Sequence, residues 1–324
     1  MKLIRQVEQI DDTIAGCALT IGNFDGVHRG HEKIVAHLKD WAKRVNGPAV
    51  VLTFDPHPVR LLRPELAPPP LTWTERKAQL LGDLEVDCMI AWPTDRALLG
   101  LSYREFFQRV IVEKLHAAAV IEGPNFFFGR NREGDIHRLR ELCEDGAIAC
   151  EIVEPGIAGE ELISSTRIRE CVRQGKVKQA RQMLTQPYRI RGLVVHGASR
   201  GTRIGFPTAN LDAIDTLVPQ VGVYAGVAEV AEKKIAAAIH IGPSPTFGVE
   251  RPTVEVHLID FKDSIYGQVI TVDFLERLRS IEDFRSPADL QDQLARDVAS
   301  ARSIGQRFLD ETQLSIKETK KHEH

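Results

Sequence analysis

The chain has 324 residues, enough for two domains with separate cores. Its 43% hydrophobic and 27% charged residues are those of an ordinary globular protein, and a formal net charge of −3 gives no global pull toward nucleic acid or an acidic membrane. No apolar run reaches membrane-spanning length, the start MKLIRQVEQIDD lacks a signal-peptide core, and the five cysteines contain no CxxC pair. A reduced, cytoplasmic chain is expected, with no disulfide framework, zinc site, membrane contact or nucleic-acid partner.

The first half alternates short apolar runs with helical stretches. Strands are predicted at 18–21, 49–54, 88–91, 118–121 and 148–153, and helical periodicity runs through 34–45, 76–84 and 104–115. That alternation predicts a doubly wound parallel sheet with ligands at the carboxyl ends of its strands. Three motifs fall at such ends: GNFDGVHRGH at 22–31, Asp55-Pro56-His57-Pro58, and the stretch beginning Gly123-Pro124-Asn125-Phe126. In the first, glycines allow close backbone approach, the following helix start offers N–H groups to an anion, and His28 and His31 straddle Gly30. Asp25 either holds that loop or caps a turn. A later stretch, Ile163-Ser164-Ser165-Thr166-Arg167-Ile168-Arg169, combines hydroxyls and cations at another helix start, as a cap and an anion site both require.

From Tyr188 the pattern changes. Strands are predicted at 190–196, 222–230, 236–241, 253–261 and 269–274, with turns but no helices between, followed by a helix over 287–308. This predicts a compact antiparallel barrel with a terminal helix. The division is expected at Thr185-Gln186-Pro187, giving domains 1–184 and 188–324. Within 197–210 the glycines Gly197, Gly201 and Gly205 recur every four residues, as in a loop folded round an anion or in a plain surface turn. Arg200 and Arg203 add charge, and Thr208 and Asn210 are oxygen donors of the kind Mg²⁺ accepts when nucleotide phosphates hold it too.

The HxGH pattern after a first strand resembles the nucleotidyltransferase superfamily, and GxxxGxxxGFPTAN resembles the riboflavin kinase family. With the later segments around Ile241-Gly242-Pro243, Glu255 and Ile265-Tyr266-Gly267, the whole chain resembles the prokaryotic bifunctional riboflavin kinase/FAD synthetases. The resemblance implies an α/β fold: an N-terminal nucleotidyltransferase domain of doubly wound parallel sheet, and a C-terminal antiparallel β-barrel kinase domain. It implies phosphorylation of riboflavin to FMN in the barrel, then adenylyl transfer from ATP to FMN, giving FAD and pyrophosphate, in the first domain. Riboflavin, FMN, FAD and ATP with Mg²⁺ are the implied ligands, and the oligomeric state is left open.

The resemblance also implies roles. His28 and His31 act on ATP phosphate oxygens, with Gly22, Asn23, Phe24, Gly30, Ser164, Ser165, Thr166 and Arg169 binding the nucleotide. Asn125, Phe126, Arg130 and Asp135 lie along the flavin and nucleotide, although Phe126 to Phe128, each taken singly, read first as core rather than as ring-stacking residues. In the kinase, Gly197, Gly201, Arg203, Gly205, Phe206 and Pro207 bind ATP, Thr208 and Asn210 hold Mg²⁺, and Glu255 is the general base. His257 shares a strand face with Glu255 and is expected to be structural. Departures from the family pattern are Asn125 for a common Asp, His240 for a common Asn, Ser264 for a common acidic residue, and Thr185-Gln186-Pro187-Tyr188 for a GRPY-like linker. Two rivals stand beside this reading. One is a nucleotidyltransferase for another phosphate acceptor, the other a flavin sensor without turnover.

Overall fold

The apolar runs of the first half lie side by side as parallel strands. The computed structural model describes residues 1–154, 157–158, 161–197, 205–243 and 252–322. They form β1 (Lys2–Ile4), β2 (Ala18–Ile21), β3 (Ala49–Asp55), β4 (Cys88–Pro93), β5 (Ala119–Glu122) and β6 (Ala149–Ile152), a six-stranded parallel sheet in the order β1-β4-β3-β2-β5-β6. Both faces of the central strands are buried, which is why they read as unbroken apolar runs without alternation. Ala18, Val51 and Met89 face a core shared with Val35, Leu38 and Leu81, whereas Leu19, Leu52 and Ile90 face Ile111, Leu115 and Leu139.

Helices cover the two faces. They are α1 (Arg29–Val45), α2 (Pro58–Leu62), α3 (Thr74–Asp83), α4 (Arg96–Gly100), α5 (Tyr103–Phe106) and α6 (Ile136–Asp145). The predicted helix over 104–115 continues from α5 as a π-helical stretch, Phe107–Lys114, whose wide turn ends with Leu115 N–H donating to the Val110 carbonyl at 3.1 Å. β1 escaped the sequence reading because its three residues carry no period. It is fixed by parallel pairing with β4, Leu3 opposite Met89. The chain leaves β2 toward β3 on one side and returns to β5 on the other, so β2 marks the switch point of the sheet. A two-stranded antiparallel pair, β7 (Ile157–Ala158) and β8 (Glu161–Leu162), precedes α7 (Ser165–Arg173) and α8 (Val177–Met183).

The second half closes as a barrel. Its strands are β9 (Tyr188–Val195), β10 (Ala209–Asp212), β11 (Gly222–Val230), β12 (Lys233–Gly242), β13 (Thr253–Leu258) and β14 (Val269–Arg279), in the closed order β10-β13-β12-β11-β14-β9. All its pairings are antiparallel. β10 was hidden in the sequence inside a stretch read as a ligand loop. The terminal helix α9 (Pro287–His322) extends beyond the predicted 287–308. It approaches the barrel closely because small residues meet there. A methyl group on Gly305 would stand 2.7 Å from Ala236 Cβ, and Gly226 is as tightly enclosed. Outside the barrel wall, Arg189 makes paired hydrogen bonds to Asp273 at 2.7 and 2.6 Å and an ion pair with Glu229 at 3.1 Å.

The compact units are Met1–Ser165 and Thr166–His324. α8 therefore belongs with the barrel, and its contacts say why. Arg181 lies over the Phe308 ring at 4.9 Å, and Lys178 Nζ stands 3.3 Å from Glu276 Oε2. The Gln220 N–H likewise donates to the Val172 carbonyl of α7 at 3.3 Å. The units thus divide ahead of the 185–187 step that the sequence suggested as linker.

Candidate functional sites

The turn after β2 is shaped by three residues with positive φ, Phe24 (45°), Gly26 (86°) and Val27 (39°). It is pinned from below. Asp25 is 7% exposed, and its carboxylate accepts the N–H groups of Leu71 and Thr72, each at 3.0 Å, and the Thr72 hydroxyl at 3.1 Å. Its own carbonyl accepts the Ser165 hydroxyl at 2.8 Å. Of its two readings, Asp25 holds the loop.

His28 caps α1. Its Nδ1 accepts the His31 N–H at 3.3 Å, while His31 Nδ1 accepts the His28 N–H at 3.3 Å, a reciprocal capping box made by two imidazoles. The rings stack with centroids 3.6 Å apart, and Phe24 lies 4.7 Å from the His31 ring. Gly30 makes the stack possible, since a methyl group there would stand 3.1 Å from His28 Cε1 and Nδ1. Burial lowers the His28 pKa to about 4, against the pull of Asp25. Burial likewise holds His31 well below the ordinary histidine value, and the neighbouring His28 and Lys77 push it further down. Both rings are therefore neutral at pH 7. Because each Nδ1 is engaged as an acceptor, the ring proton sits on Nε2, which remains a donor.

Lys77 of α3, missed in the sequence, reaches under the same turn. Its Nζ donates to the Asn23 carbonyl at 2.5 Å and to Thr53 Oγ1 at 3.3 Å. Burial lowers the pKa of its ammonium group while Asp25 and Asp55 resist the shift. Only its helical spacing is visible in the sequence, and that gives no hint of direction.

Other predicted residues are placed as follows. Asn23 and Asn125 are exposed, Gly22 and Ser164 half-buried, and Phe24 buried. Phe128 is core, Phe126 stacks on it at 5.3 Å, and Phe127 is exposed beneath the Arg132 guanidinium. Arg130 is exposed, and Asp135 caps α6 by accepting from His137 and Arg138 N–H groups at 3.1 and 3.0 Å. Of the remaining α7 residues, Thr166 is exposed and Arg169 half-buried. Asp55 and His57 of the second motif are held locally, Asp55 by the Thr74 hydroxyl at 2.6 Å and His57 by capping α2.

In the barrel a polar row crosses three strands. Antiparallel register sets His240 of β12 opposite Glu255 of β13, and Glu255 opposite Asn210 of β10. Val254, Val256 and Leu258 turn into the buried interior, so Glu255 and His257 share the outer face. The Thr208 hydroxyl donates to Glu255 Oε2 at 3.2 Å. A hydroxyl that gives its proton to a carboxylate keeps its lone pairs for a cation. Gly197 leaves space for the Asn210 carboxamide, whose nitrogen would lie 2.1 Å from a methyl group at 197. Burial lowers the His240 pKa, with Glu255 opposing and Arg279 adding to the shift.

His257 is structural, as expected. Its Nδ1 lies 2.7 Å from the Pro207 carbonyl and its ring meets Phe206 edge-on, holding the Phe206-Pro207-Thr208 segment on the barrel. Beside Thr208 opens a cavity of about 330 Å³, whose lining includes Val194, Val256, Leu258, Phe261 and Tyr266. Tyr266 stacks on His196 with centroids 3.9 Å apart. Gly205 has φ of +89° and open space around it. Gly201 and Arg203 lie outside the described residues. Among the described residues no cluster of three or more His, Cys, Asp or Glu could hold a metal ion, and no helix is long and apolar enough to cross a membrane.

Comparison with known proteins gives each unit a counterpart. The family model for FAD synthetase matches residues 10–167, and that for riboflavin kinase matches residues 184–305. The bifunctional riboflavin kinase/FMN adenylyltransferase of Escherichia coli strain K12 is 35% identical over 306 residues, covering 94% of this chain and 98% of the relative. That of Haemophilus influenzae is 34% identical over 305 residues, covering 94% and 99%. A crystal structure described as a macrolide-efflux protein from Streptococcus pneumoniae superimposes with a TM-score of 0.85 at 30% identity, covering 93% of this chain and 99% of that one.

Proposed function

The chain belongs to the bifunctional riboflavin kinase/FMN adenylyltransferase family and carries both activities, and we propose a site for each. The observation that carries the proposal is that each unit holds its own arrangement of polar groups: a pair of neutral histidines at a helix start in one, and a Thr208–Glu255 pair beside a cavity in the other.

In the first unit the FMN phosphate attacks the α-phosphorus of ATP, the new P–O bond forms and pyrophosphate leaves in line. This chemistry needs placement and charge stabilisation and no covalent help from the protein. His28 and His31 donate from Nε2 to phosphate oxygens as charge develops, and remain neutral because burial and mutual stacking disfavour imidazolium. The α1 start, the Gly22–Phe24 backbone and the Ser164–Ser165 hydroxyls complete the anion site. Lys77 steadies the Asn23 carbonyl. Asn125 and Phe126 lie at the end of β5, on the flavin side, and Asp135 supports them as the cap of α6.

In the barrel Glu255 accepts the proton of the ribityl 5′-hydroxyl while that oxygen attacks the γ-phosphorus of ATP, the bond from the γ-phosphorus to the β,γ-bridging oxygen breaks and ADP leaves. The oxygens of Thr208 and Asn210 suit Mg²⁺, which takes oxygen donors and is shared with the nucleotide phosphates. Bound there, the ion neutralises phosphate charge. The cavity beside Thr208 takes a ring of one substrate, and Gly197, Gly205, Phe206 and Pro207 frame the nucleotide. A division by activity at 1–184 and 188–324, distinct from the packing division after Ser165, goes with this reading, as does a cytoplasmic location where ATP and Mg²⁺ are at hand. The test is conversion of riboflavin by the whole protein with ATP and Mg²⁺. FMN should appear first and FAD second, and Glu255→Gln should abolish only the first step. Conversion of FMN alone, or none of either flavin, would contradict the assignment.

A further inference from the structure

Glu122 ends β5 and is 3% exposed, at the place where β2 and β5 part. Backbone pairing between these strands covers only Ala18 with Ala119 and Leu19 with Val120. Beyond that point the Ile21 N–H donates to Glu122 Oε1 at 2.6 Å. The Thr20 hydroxyl, 1% exposed and with no other partner among the described residues, adjoins the same carboxyl. Parallel pairing lapses here because this is the switch point, where the two strands diverge and a crevice opens. The phosphate-binding turn begins at Gly22, directly after Ile21, and the Gly123–Phe128 stretch begins directly after Glu122. A single side chain therefore ties the roots of both loops.

We propose that Glu122 is a positioning residue for adenylyl transfer, a latch between the ends of β2 and β5 that sets the distance between the histidine turn and the flavin-side loop. The proposal rests on the assignment of that reaction to the first unit. Glu122 touches neither substrate and acts through the Ile21 backbone N–H and the Thr20 hydroxyl. Burial holds its carboxyl well above the usual range, Cys150 of β6 adds to the rise, and the Ile21 N–H and Thr20 oppose it. The carboxyl accepts the Ile21 N–H at one oxygen, and the Thr20 hydroxyl is the second donor that faces it. Ionisation leaves a charge in an apolar place.

The experiment uses the full chain, with FAD formation from FMN and FMN formation from riboflavin measured on the same preparations. Glu122→Leu leaves the Ile21 N–H without an acceptor, and kcat for FAD formation should fall about 10- to 100-fold while the kinase stays within about twofold. Glu122→Gln keeps a carbonyl oxygen as acceptor for the Ile21 N–H and adds no charge, and should stay within about threefold of wild type. The wild-type adenylation rate should decline toward alkaline pH as the acid ionises, and the Gln variant should not follow it. The latch is overturned if Glu122→Leu matches wild type, if Glu122→Gln falls as far as Glu122→Leu, or if the kinase declines in step. A wild-type protein that makes FMN but no FAD overturns the underlying assignment, and the latch with it.

Discussion

The two sites are built in opposite ways. The histidine site is local and recessed: ten consecutive residues supply the turn, the cap and both rings, and buried Asp25 and half-buried Lys77 fasten it from beneath. The barrel site is assembled by register on an outer strand face, where Glu255, Asn210 and His240 come from three strands and meet only because the ladder aligns them. A local site is exposed to errors of side-chain packing and capping, an assembled one to errors of spacing across strands. The same difference decides what each can do. Burial keeps the histidines neutral, which suits the proposed role as donors, whereas the proposed base Glu255 stands on an outer face.

That contrast breaks most sharply at Glu255. Glu255→Gln should lower riboflavin phosphorylation by about 10²- to 10⁴-fold and leave FAD formation from added FMN unchanged, as measured by initial rates of each step. In the opposite direction, His28→Ala/His31→Ala should lower FAD formation by about 10²- to 10³-fold with the kinase intact. A comparable loss of both activities from either change would mean that the sites are not separate.

Smaller changes sharpen the comparison. Gly197→Ala places a methyl group against the Asn210 carboxamide. It should raise the Mg²⁺ requirement of the kinase and lower its rate by about tenfold, with little change in adenylation. For the histidine site the corresponding lever is pH. His28 has a folded-state pKa of about 4 against an ordinary 6.5. Between those values the unfolded chain binds more protons, so the stability present above pH 6.5 is lost as pH falls toward 4. The loss is on the order of 3 kcal/mol, visible in denaturant titrations and reduced in His28→Asn. Last, Asp135→Ala removes the cap of α6 and should cost about 1 kcal/mol of stability in the same titrations, with a modest effect on FAD formation.

The sequence was most legible where function and local structure coincide. GNFDGVHRGH shows its strand, turn and helix start in one string, and the barrel motif shows its oxygen-donor residue types. What stayed hidden depends on distant partners. The motif suggests the histidines as phosphate ligands but not as each other's caps, because the reciprocal bonds appear only once α1 begins at Arg29. Lys77 and Glu122 sit in ordinary helical and strand contexts, and their meaning comes from Asn23 and Ile21, far along the chain. β10 was hidden because four residues with Asn and Asp among them carry no strand period, and only pairing with β9 and β13 defines it. Asp135, expected along the flavin and nucleotide, also caps α6 through one carboxylate oxygen, a partnership its place in the sequence does not show.

The central claim is that one chain performs two successive transfers at two independently built sites. Its most direct test is a chromatographic time course of riboflavin, ATP and Mg²⁺ with the wild-type protein, Glu255→Gln and His28→Ala/His31→Ala. The account predicts FMN before FAD in the wild type, no FMN in the first variant, and accumulation of FMN without FAD in the second. FAD formation undiminished in the histidine variant, or FMN formation undiminished in the Glu255 variant, would contradict it.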